Sequence, residues 1–559
     1  MRRFILKCKK EIALFLTANT IWAGIGISLA FLLEYIADTA IQGIEKRIVY
    51  IVLLVITYLL LDTVFEFLSN YTEILLRTKV SYLLRNTLIR RIQKCGIEEK
   101  EKMGDAHYLS MLNNNVPEVE MEYIGGILMV VFQVISLIFA LIATTAIQPI
   151  LTLIIILLCV LPLVVTRILK NKLEKVNREA ISAKAGYLNV LNELVEGFLT
   201  IKVFGRESEV TQFHDRTNEE TMIKTRHNAR WKRISMSISY GMGNMVVLGA
   251  WVCGMIFALA GSIDFPQLIA LTTLMNMVAG PFQIISEYYA GIISGHAIAE
   301  DLIKFIDSGT GEQSYKSHEA NINSVELDNV SIVRDGNFIL RNVHFSAGYG
   351  QKICVIGSSG SGKSTLLKAI AGIADIQEGS LLINHICVER NRGLTHRNLL
   401  FLAQSTILFS ATIRDNVTLF KEMPGEAIEE AIHKSGMSEW LKRAGGDINR
   451  TFEKSSINLS GGEQRRIDFA RTLMEDAEVL LFDEPTAGLD TFYARNIMEQ
   501  ICAMSNRIIV VATHDLEREN LLRFDYVYMV ENGKVVAEDT PNNMVNNPMY
   551  LSLKKGGKA

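Results

Sequence analysis

The sequence predicts a multidomain chain: an all-α domain of six transmembrane helices followed by an α/β domain. Three observations predict it. Long uncharged apolar runs are confined to the first 288 residues. Beyond about residue 321, short β-branched runs alternate with amphipathic helical stretches. A glycine-rich segment of the form GxxxxGK[ST], Gly357–Thr365, sits between one such strand and one such helix.

Composition sets the outer limits. Of 559 residues, 49% are hydrophobic and 21% charged. This excludes a disordered or collagen-like chain and disfavours an all-soluble one. The 57 basic and 60 acidic side chains leave a net charge of −3, so a nucleic-acid partner has no electrostatic support. The seven cysteines (Cys8, Cys95, Cys159, Cys253, Cys354, Cys387 and Cys502) are scattered and form no CxxC pair, as expected of buried or membrane-facing thiols.

The spans follow from length. Ile12–Leu33 carries no charge over 22 residues, and Ile124–Thr166 none over 43, with a break at Gln148 and Pro149. Ile48–Leu61, Ile234–Ile263 and Phe265–Ser286 are the other apolar runs. Crossing a bilayer takes about 20 apolar residues, so the longest run makes two spans. The six are placed at about 12–36, 47–69, 123–147, 149–168, 234–261 and 265–288. The N-terminus reads MRRFILKCKK, and the segments after spans two and four are rich in Lys and Arg. Both termini and both long loops are therefore expected in the cytoplasm. The first apolar run is too long for a cleaved leader. Both long loops, Asn70–Ile97 and Lys170–Val203, have helical periodicity, so spans two to five should continue beyond the membrane as helices. The polar stretch from Asp307 is read as a linker. The domains are then 1–306, a linker at 307–320, and 321–559.

Three segments of the second domain carry chemistry. Gly357, Ser358, Ser359, Gly360, Ser361, Gly362, Lys363, Ser364 and Thr365 form a phosphate loop after the strand Lys352–Ile356 and before a helix expected at Ser364–Ala371. Backbone amides and a helix N-terminus cradle phosphate, Lys363 reaches the terminal phosphates, and Ser364 offers a hydroxyl to Mg²⁺. The apolar strand from Val479 ends in Asp483 and Glu484. Asp483 suits a Mg²⁺ contact, and Glu484 is placed to act as a base or to orient water. Between these lie Leu459, Ser460, Gly461, Gly462, Glu463 and Gln464, whose glycines open a second helix, expected at Glu463–Met474, with an anion-attracting N-terminus.

In this order the segments resemble the ATP-binding cassette of ABC transporters. The resemblance implies further parts: Gln404 in FLAQS as the Q-loop residue near metal and water, Asp490 in the D-loop Gly488-Leu489-Asp490, and His514 as the switch histidine at the γ-phosphate. The second domain is then an α/β P-loop NTPase (ABC) domain. Glu193–Glu207 resembles the second cytoplasmic loop of exporter-fold (type IV) half-transporters, with coupling helices near Gly104–Asn115 and Val210–Phe213. The family's adenine-stacking aromatic falls at Arg334, with Phe338 as an alternative, and its turn before the signature is displaced at Phe452, Glu453 and Lys454.

The resemblance implies an ATP-driven translocase, a homodimer or heterodimer of half-transporters in a bacterial inner or plasma membrane, using ATP and Mg²⁺ to move a solute. Export is the expected direction. An importer on the same fold, as in siderophore uptake, and an ATP-binding regulator with little turnover are the alternatives. LSGGEQ with DEPTAGLD departs from the LSGGQ and DEATSALD of multidrug exporters.

Asp62 and Glu66 lie one helical turn apart and share a face, and Glu287 lies in span six. Counted from the outer span ends they sit about 22, 28 and 33 Å inward. Two readings stand. The acids attract a cationic solute through a water-filled cavity, or they pair with Arg77, Arg85 or Lys304 at the cytoplasmic boundary and only shape the bundle.

Overall fold

The computed structural model describes residues 1–96, 99–100, 103–158, 160–308, 321–334, 336–388, 398–403, 406–443, 445–451 and 460–556. The chain divides into two compact units, Met1–Lys94 with Gly104–Thr310, and Cys95–Met103 with Gly311–Ala559.

The described part of the first unit is helical. Its long helices are α1 (Lys9–Gln42), α2 (Ile48–Gln93), α3 (Gly126–Ile147), α4 (Pro149–Leu158), α5 (Val160–Glu196), α6 (Glu207–Leu259) and α7 (Phe265–Asp307). Among the described residues, four helical stretches are long and apolar enough to cross a membrane: Lys9–Gln42, Glu45–Gln93, His107–Ile147 and Glu207–Leu259. The other two expected spans fall on α4–α5 and on α7. The first runs through residue 159 and the second through Glu287, whose side chain lies outside the described residues. Helices α2 and α6 run 46 and 53 residues, far beyond what a bilayer needs, as their loop periodicity predicts.

Polar and small residues set the helix contacts. The Ser69 hydroxyl donates to Asn19 Oδ1 at 2.8 Å, and Trp22 Nε1 donates to Asp62 Oδ1 at 3.1 Å, both between α1 and α2. A Cβ on Gly126 would lie 2.7 Å from Ile292, and one on Gly295 would lie 2.8 Å from Tyr123. Small residues therefore let α7 approach the start of α3 closely.

The second unit holds two sheets. A four-stranded antiparallel sheet has the order β2-β1-β4-β5, from β1 (Ser324–Arg334), β2 (Asn337–Gly348), β4 (Glu378–Ile383) and β5 (Ile386–Cys387). A six-stranded sheet has the order β10-β9-β3-β8-β7-β6, with β3 (Lys352–Ile356), β6 (Leu399–Leu402), β7 (Val479–Asp483), β8 (Ile508–Thr513), β9 (Tyr526–Glu531) and β10 (Lys534–Asp539). All of its pairings are parallel except β9 with β10. Strands β7 and β8 are buried at every position. That is why they read as continuous apolar runs rather than alternating ones. Helix α8 (Lys363–Ile370) packs Leu366, Leu367 and Ile370 into the same core as β1, β2 and β3.

Candidate functional site

The phosphate loop leaves β3 at Ile356 and enters α8 at Lys363, so the helix begins one residue earlier than expected. Its glycines are required by contact. A Cβ on Gly357 would sit 2.2 Å from the Val530 carbonyl oxygen. Gly362 has φ +108 and lies against Leu340 and the Ile339 carbonyl, 3.0 and 3.1 Å from where its Cβ would be. Lys363 is buried, and its Nζ donates to the carbonyls of Gly357 and Ser358 at 2.9 Å. Burial pushes its ammonium below the ordinary lysine range, against the pull of Glu484 and Asp483. The buried Ser361 hydroxyl has no protein partner among the described residues. An orphaned hydroxyl inside a loop of amides suits a phosphate oxygen.

Strand β7 delivers the acids. Asp483 is buried, and burial pushes its carboxyl above the ordinary aspartate range, partly offset by a hydrogen bond from the Ser364 side chain. A hydroxyl and a carboxylate already joined form an oxygen donor pair of the kind that holds Mg²⁺ beside phosphates. Glu484 follows with φ +51, a left-handed conformation that costs a non-glycine residue on the order of 1 kcal/mol. It is held there by its N–H, which donates to the Ala512 carbonyl at 2.9 Å. Its carboxylate lies 3.5 Å from Nδ1 of His514, which follows β8. Glu484 and His514 thus meet although 30 residues separate them in the sequence.

Arg465 was not singled out by sequence reasoning. It is buried, and its guanidinium donates to the carbonyls of Ala403 at 2.5 Å, Asp483 at 2.7 Å and Glu484 at 2.9 Å. One side chain therefore ties the end of β7 to the start of the Gln404 segment. Burial pushes its charge toward the neutral form, and Asp468, Asp483 and Glu484 oppose this. Its signal in the sequence was only its place two residues after Glu463. Gln404 itself, with Phe452, Glu453, Lys454 and Leu459, lies outside the described residues.

The signature segment opens helix α9 (Gly461–Leu473), two residues before its expected start at Glu463. Ser460 and Glu463 form a reciprocal capping box, and Arg443 pairs with Glu463 at 2.8 Å. Glu463 is thus engaged in holding the helix end. Gly462 lies against Gly488 and Leu489, 3.2 and 3.1 Å from where its Cβ would be. Asp490 caps helix α10 (Thr491–Ala503), accepting from the N–H groups of Phe492 and Tyr493.

Strand register puts the two candidates for the base end on different faces of the sheet. In the β1–β2 hairpin Val333 faces Phe338, but Ile332 faces Leu340. Ile339 is therefore an extra residue, a β-bulge. Opposed residues share a sheet face and successive ones alternate. Arg334 and Ile332 consequently lie on the face of Leu340, which touches Gly362. Phe338 lies on the other face, where Arg341 covers its ring at 5.2 Å.

Among the described residues, Asp62 and Glu66 do not make the boundary pairs proposed for them, and the Glu287 side chain lies outside the described residues. Arg77 lies 3.5 Å from both Glu73 and Glu120, and Lys304 pairs with Asp301. Asp62 instead accepts from Trp22, and Glu66 from Asn70. The expected coupling segment near Gly104–Asn115 is a helix at Asp105–Ser110 followed by a wider π-helical stretch at Met111–Asn115. Val210–Phe213 lies within α6.

Comparison with known proteins agrees with this layout. Residues 12–282 match the ABC transporter transmembrane region, and residues 340–487 match the ABC transporter family. An ATP-binding/permease protein of Bacillus subtilis named for multidrug export, YgaD, is 24% identical over 97% of this chain and 96% of its own length. A Staphylococcus aureus protein with the same kind of name is 22% identical over the same shares. Among solved structures, a bacterial Atm1-family ABC exporter with ATP bound has a TM-score of 0.83 at 17% identity. The match covers 98% of this chain and 99% of that one.

Proposed function

Since this chain belongs to the ABC transporters and is an ATP-hydrolysing membrane transporter, its transmembrane region and cassette fused in one polypeptide, we propose that it exports a solute as a dimer with two composite ATP sites. The membrane is a bacterial inner or plasma membrane, crossed six times with both termini cytoplasmic. The observation that carries the reading is the assembly of Lys363, Ser364, Asp483, Glu484 and His514 at the ends of three adjacent parallel strands, β3, β7 and β8.

The geometry supports the following roles. The loop amides and Lys363 bind the phosphates, and Arg334 lies over the base. Ser364 and Asp483 would hold Mg²⁺ with Gln404, and that ion would supply charge neutralisation to the phosphates. Glu484 accepts a proton from the attacking water or orients it, and His514 steadies the carboxylate and the γ-phosphate.

Two observations support the dimer. Gly462 lies against Gly488 and Leu489, and Arg443 pairs with Glu463 of the same helix end, whereas the phosphate loop has Ile339, Leu340, Val530 and Gly533 as neighbours. The two anion-binding helix ends thus have different neighbours within one cassette, which supports a second chain bringing the signature helix to the triphosphate. In addition, Val195, Phe198, Leu199, Val203 and Phe204 are each at least 62% exposed on a stretch outside the expected spans. A patch of this kind requires a cover in water, and a second copy supplies it.

The similarity to export proteins supports the outward direction. Inside-out vesicles test it: ATP should drive solute into the lumen, and uptake into right-side-out vesicles instead would overturn it. Three carboxylates at membrane depth, with no Lys or Arg in the apolar runs, favour a cationic solute.

A further inference from the structure

We propose that Trp22, Phe132 and Asp62 form the recognition site for an amphipathic organic cation; this deepens the transporter reading above and rests on it. The three residues come from three helices, α1, α3 and α2. Counted at 1.5 Å per residue from the outer span ends, Asp62 and Phe132 both lie about 22 Å inward. The Trp22–Phe132 and Trp22–Asp62 contacts fix the third residue at that level. The Trp22 and Phe132 rings stack with centroids 4.8 Å apart and planes 11° apart. Trp22 Nε1 donates to Asp62 Oδ1 at 3.1 Å. All three side chains remain partly exposed.

The charge is the point. A carboxylate has about four acceptor positions, and among the described residues the side-chain hydrogen bond that Asp62 accepts comes from one neutral indole N–H. No Lys, Arg or His pairs with it among the described residues. Clamping α1 to α2 needs no charge at this level, because Ser69 and Asn19 already join the same helices through a neutral hydrogen bond at 2.8 Å. An asparagine at 62 would clamp equally well. What a carboxylate adds beside an aromatic pair is attraction for a positive group, and the ring faces add a second term of the same sign. Tyr58, one turn from Asp62 on α2, puts a further aromatic ring on that helix face. Glu66, the next turn inward, is exposed and bonded to Asn70, so it extends the negative face toward the cytoplasm. The ligand class is thus a monovalent organic cation with an aromatic or bulky apolar body.

The test uses the full-length protein in nanodiscs of zwitterionic lipid, without nucleotide, and two ions of matched size and opposite charge. Radiolabelled tetraphenylphosphonium should bind saturably, and tetraphenylborate should not compete. Asp62→Asn should weaken tetraphenylphosphonium binding roughly tenfold or more, Trp22→Phe several-fold, and Asp62→Glu only slightly. Equal binding of both ions, no saturable binding of the cation by wild type, or unchanged affinity in Asp62→Asn would overturn the site. If Asp62→Asn fails to fold, the cation–anion comparison in wild type and the Trp22→Phe and Asp62→Glu pair still decide. Failure of the exporter reading would show separately, as transport in the wrong direction or as normal turnover in Glu484→Gln.

Discussion

Replacing Arg334 by alanine should weaken nucleotide binding without slowing chemistry. The argument rests on the bulge at Ile339. It turns Arg334 to the face of Leu340, whose Cδ2 lies against Gly362 of the phosphate loop, and turns Phe338 to the opposite face. Asn337, the cross-strand partner of Arg334, is two residues from Ile339, whose carbonyl also meets Gly362. At about 3.4 Å per residue this is about 7 Å, a distance suited to a base whose phosphates sit in the loop. A guanidinium over a ring contributes about 0.5–1 kcal/mol when exposed and about 2 when desolvated. Arg334 is exposed, so about 1 kcal/mol is the appropriate figure, a factor of roughly five in affinity. Arg334→Ala should therefore raise the dissociation constant for ATP, measured by isothermal titration, about fivefold, and KM by a similar factor with kcat unchanged. Stacking is indifferent to which purine is bound, so GTP should suffer equally. Arg334→Tyr should restore or improve binding. Phe338→Ala should change nothing beyond twofold. If Phe338→Ala weakens ATP and Arg334→Ala does not, the assignment of faces is wrong.

Other outcomes follow from the same geometry. Glu484→Gln should cut steady-state phosphate release at least a hundredfold while ATP still binds and stabilises a closed dimer; near-normal hydrolysis would remove Glu484 from the role. Arg465→Ala removes a donor shared by three carbonyls, of which that of Glu484 keeps the Ala487 N–H, and should cost the cassette about 2–4 kcal/mol of stability together with turnover; a thermal scan and a phosphate-release assay of the purified protein, each against wild type, read the two. Gly362→Ala, with φ +108 and a Cβ about 3 Å from Ile339 and Leu340, should abolish ATP binding at otherwise saturating nucleotide. Mixing Lys363→Ala chains with Ser460→Arg chains should yield a dimer with one intact site and one doubly damaged site; binding no tighter than in either parent would exclude composite sites.

Much of the cassette was legible because its signals are local. Strand Lys352–Ile356 was bounded correctly, and β7 was found as an unbroken apolar run, since a buried parallel strand needs no polar face. The helix starts were less legible. Ser460 and Glu463 spell a capping box, which begins the helix at Gly461, but the glycines drew the reading toward phosphate and placed the start two residues late. Arg465 was invisible for another reason. An arginine in a helix is ordinarily a solvated one, and only the fold brings three carbonyls from two segments to its guanidinium. The bulge at Ile339 leaves no compositional mark, because any residue can be the extra one. That Arg334 and its alternative Phe338 lie on opposite faces of the sheet is therefore visible only in the register.

The membrane half shows where periodicity stops being informative. Its apolar runs gave helix positions, because length and missing charge are one-dimensional properties. Which residue of one helix meets which residue of another depends on the rotation of each about its axis, and a run that is apolar all round carries no such mark. Asp62 and Glu66 thus read as a matched pair, one turn apart on a shared face. Once the helices pack, their surroundings differ. Asp62 turns to the indole of Trp22, 40 residues away, and Glu66 turns to Asn70 on its own helix. The first bond crosses between helices and is part-buried, whereas the second is local and exposed. A local carboxamide partner can follow Glu66 through any movement of α2 against α1. The Trp22–Asp62 bond cannot, because it lengthens whenever the two helices slide or rotate. Asp62 is therefore the acid whose surroundings must change when α1 and α2 move relative to one another, and Glu66 is not.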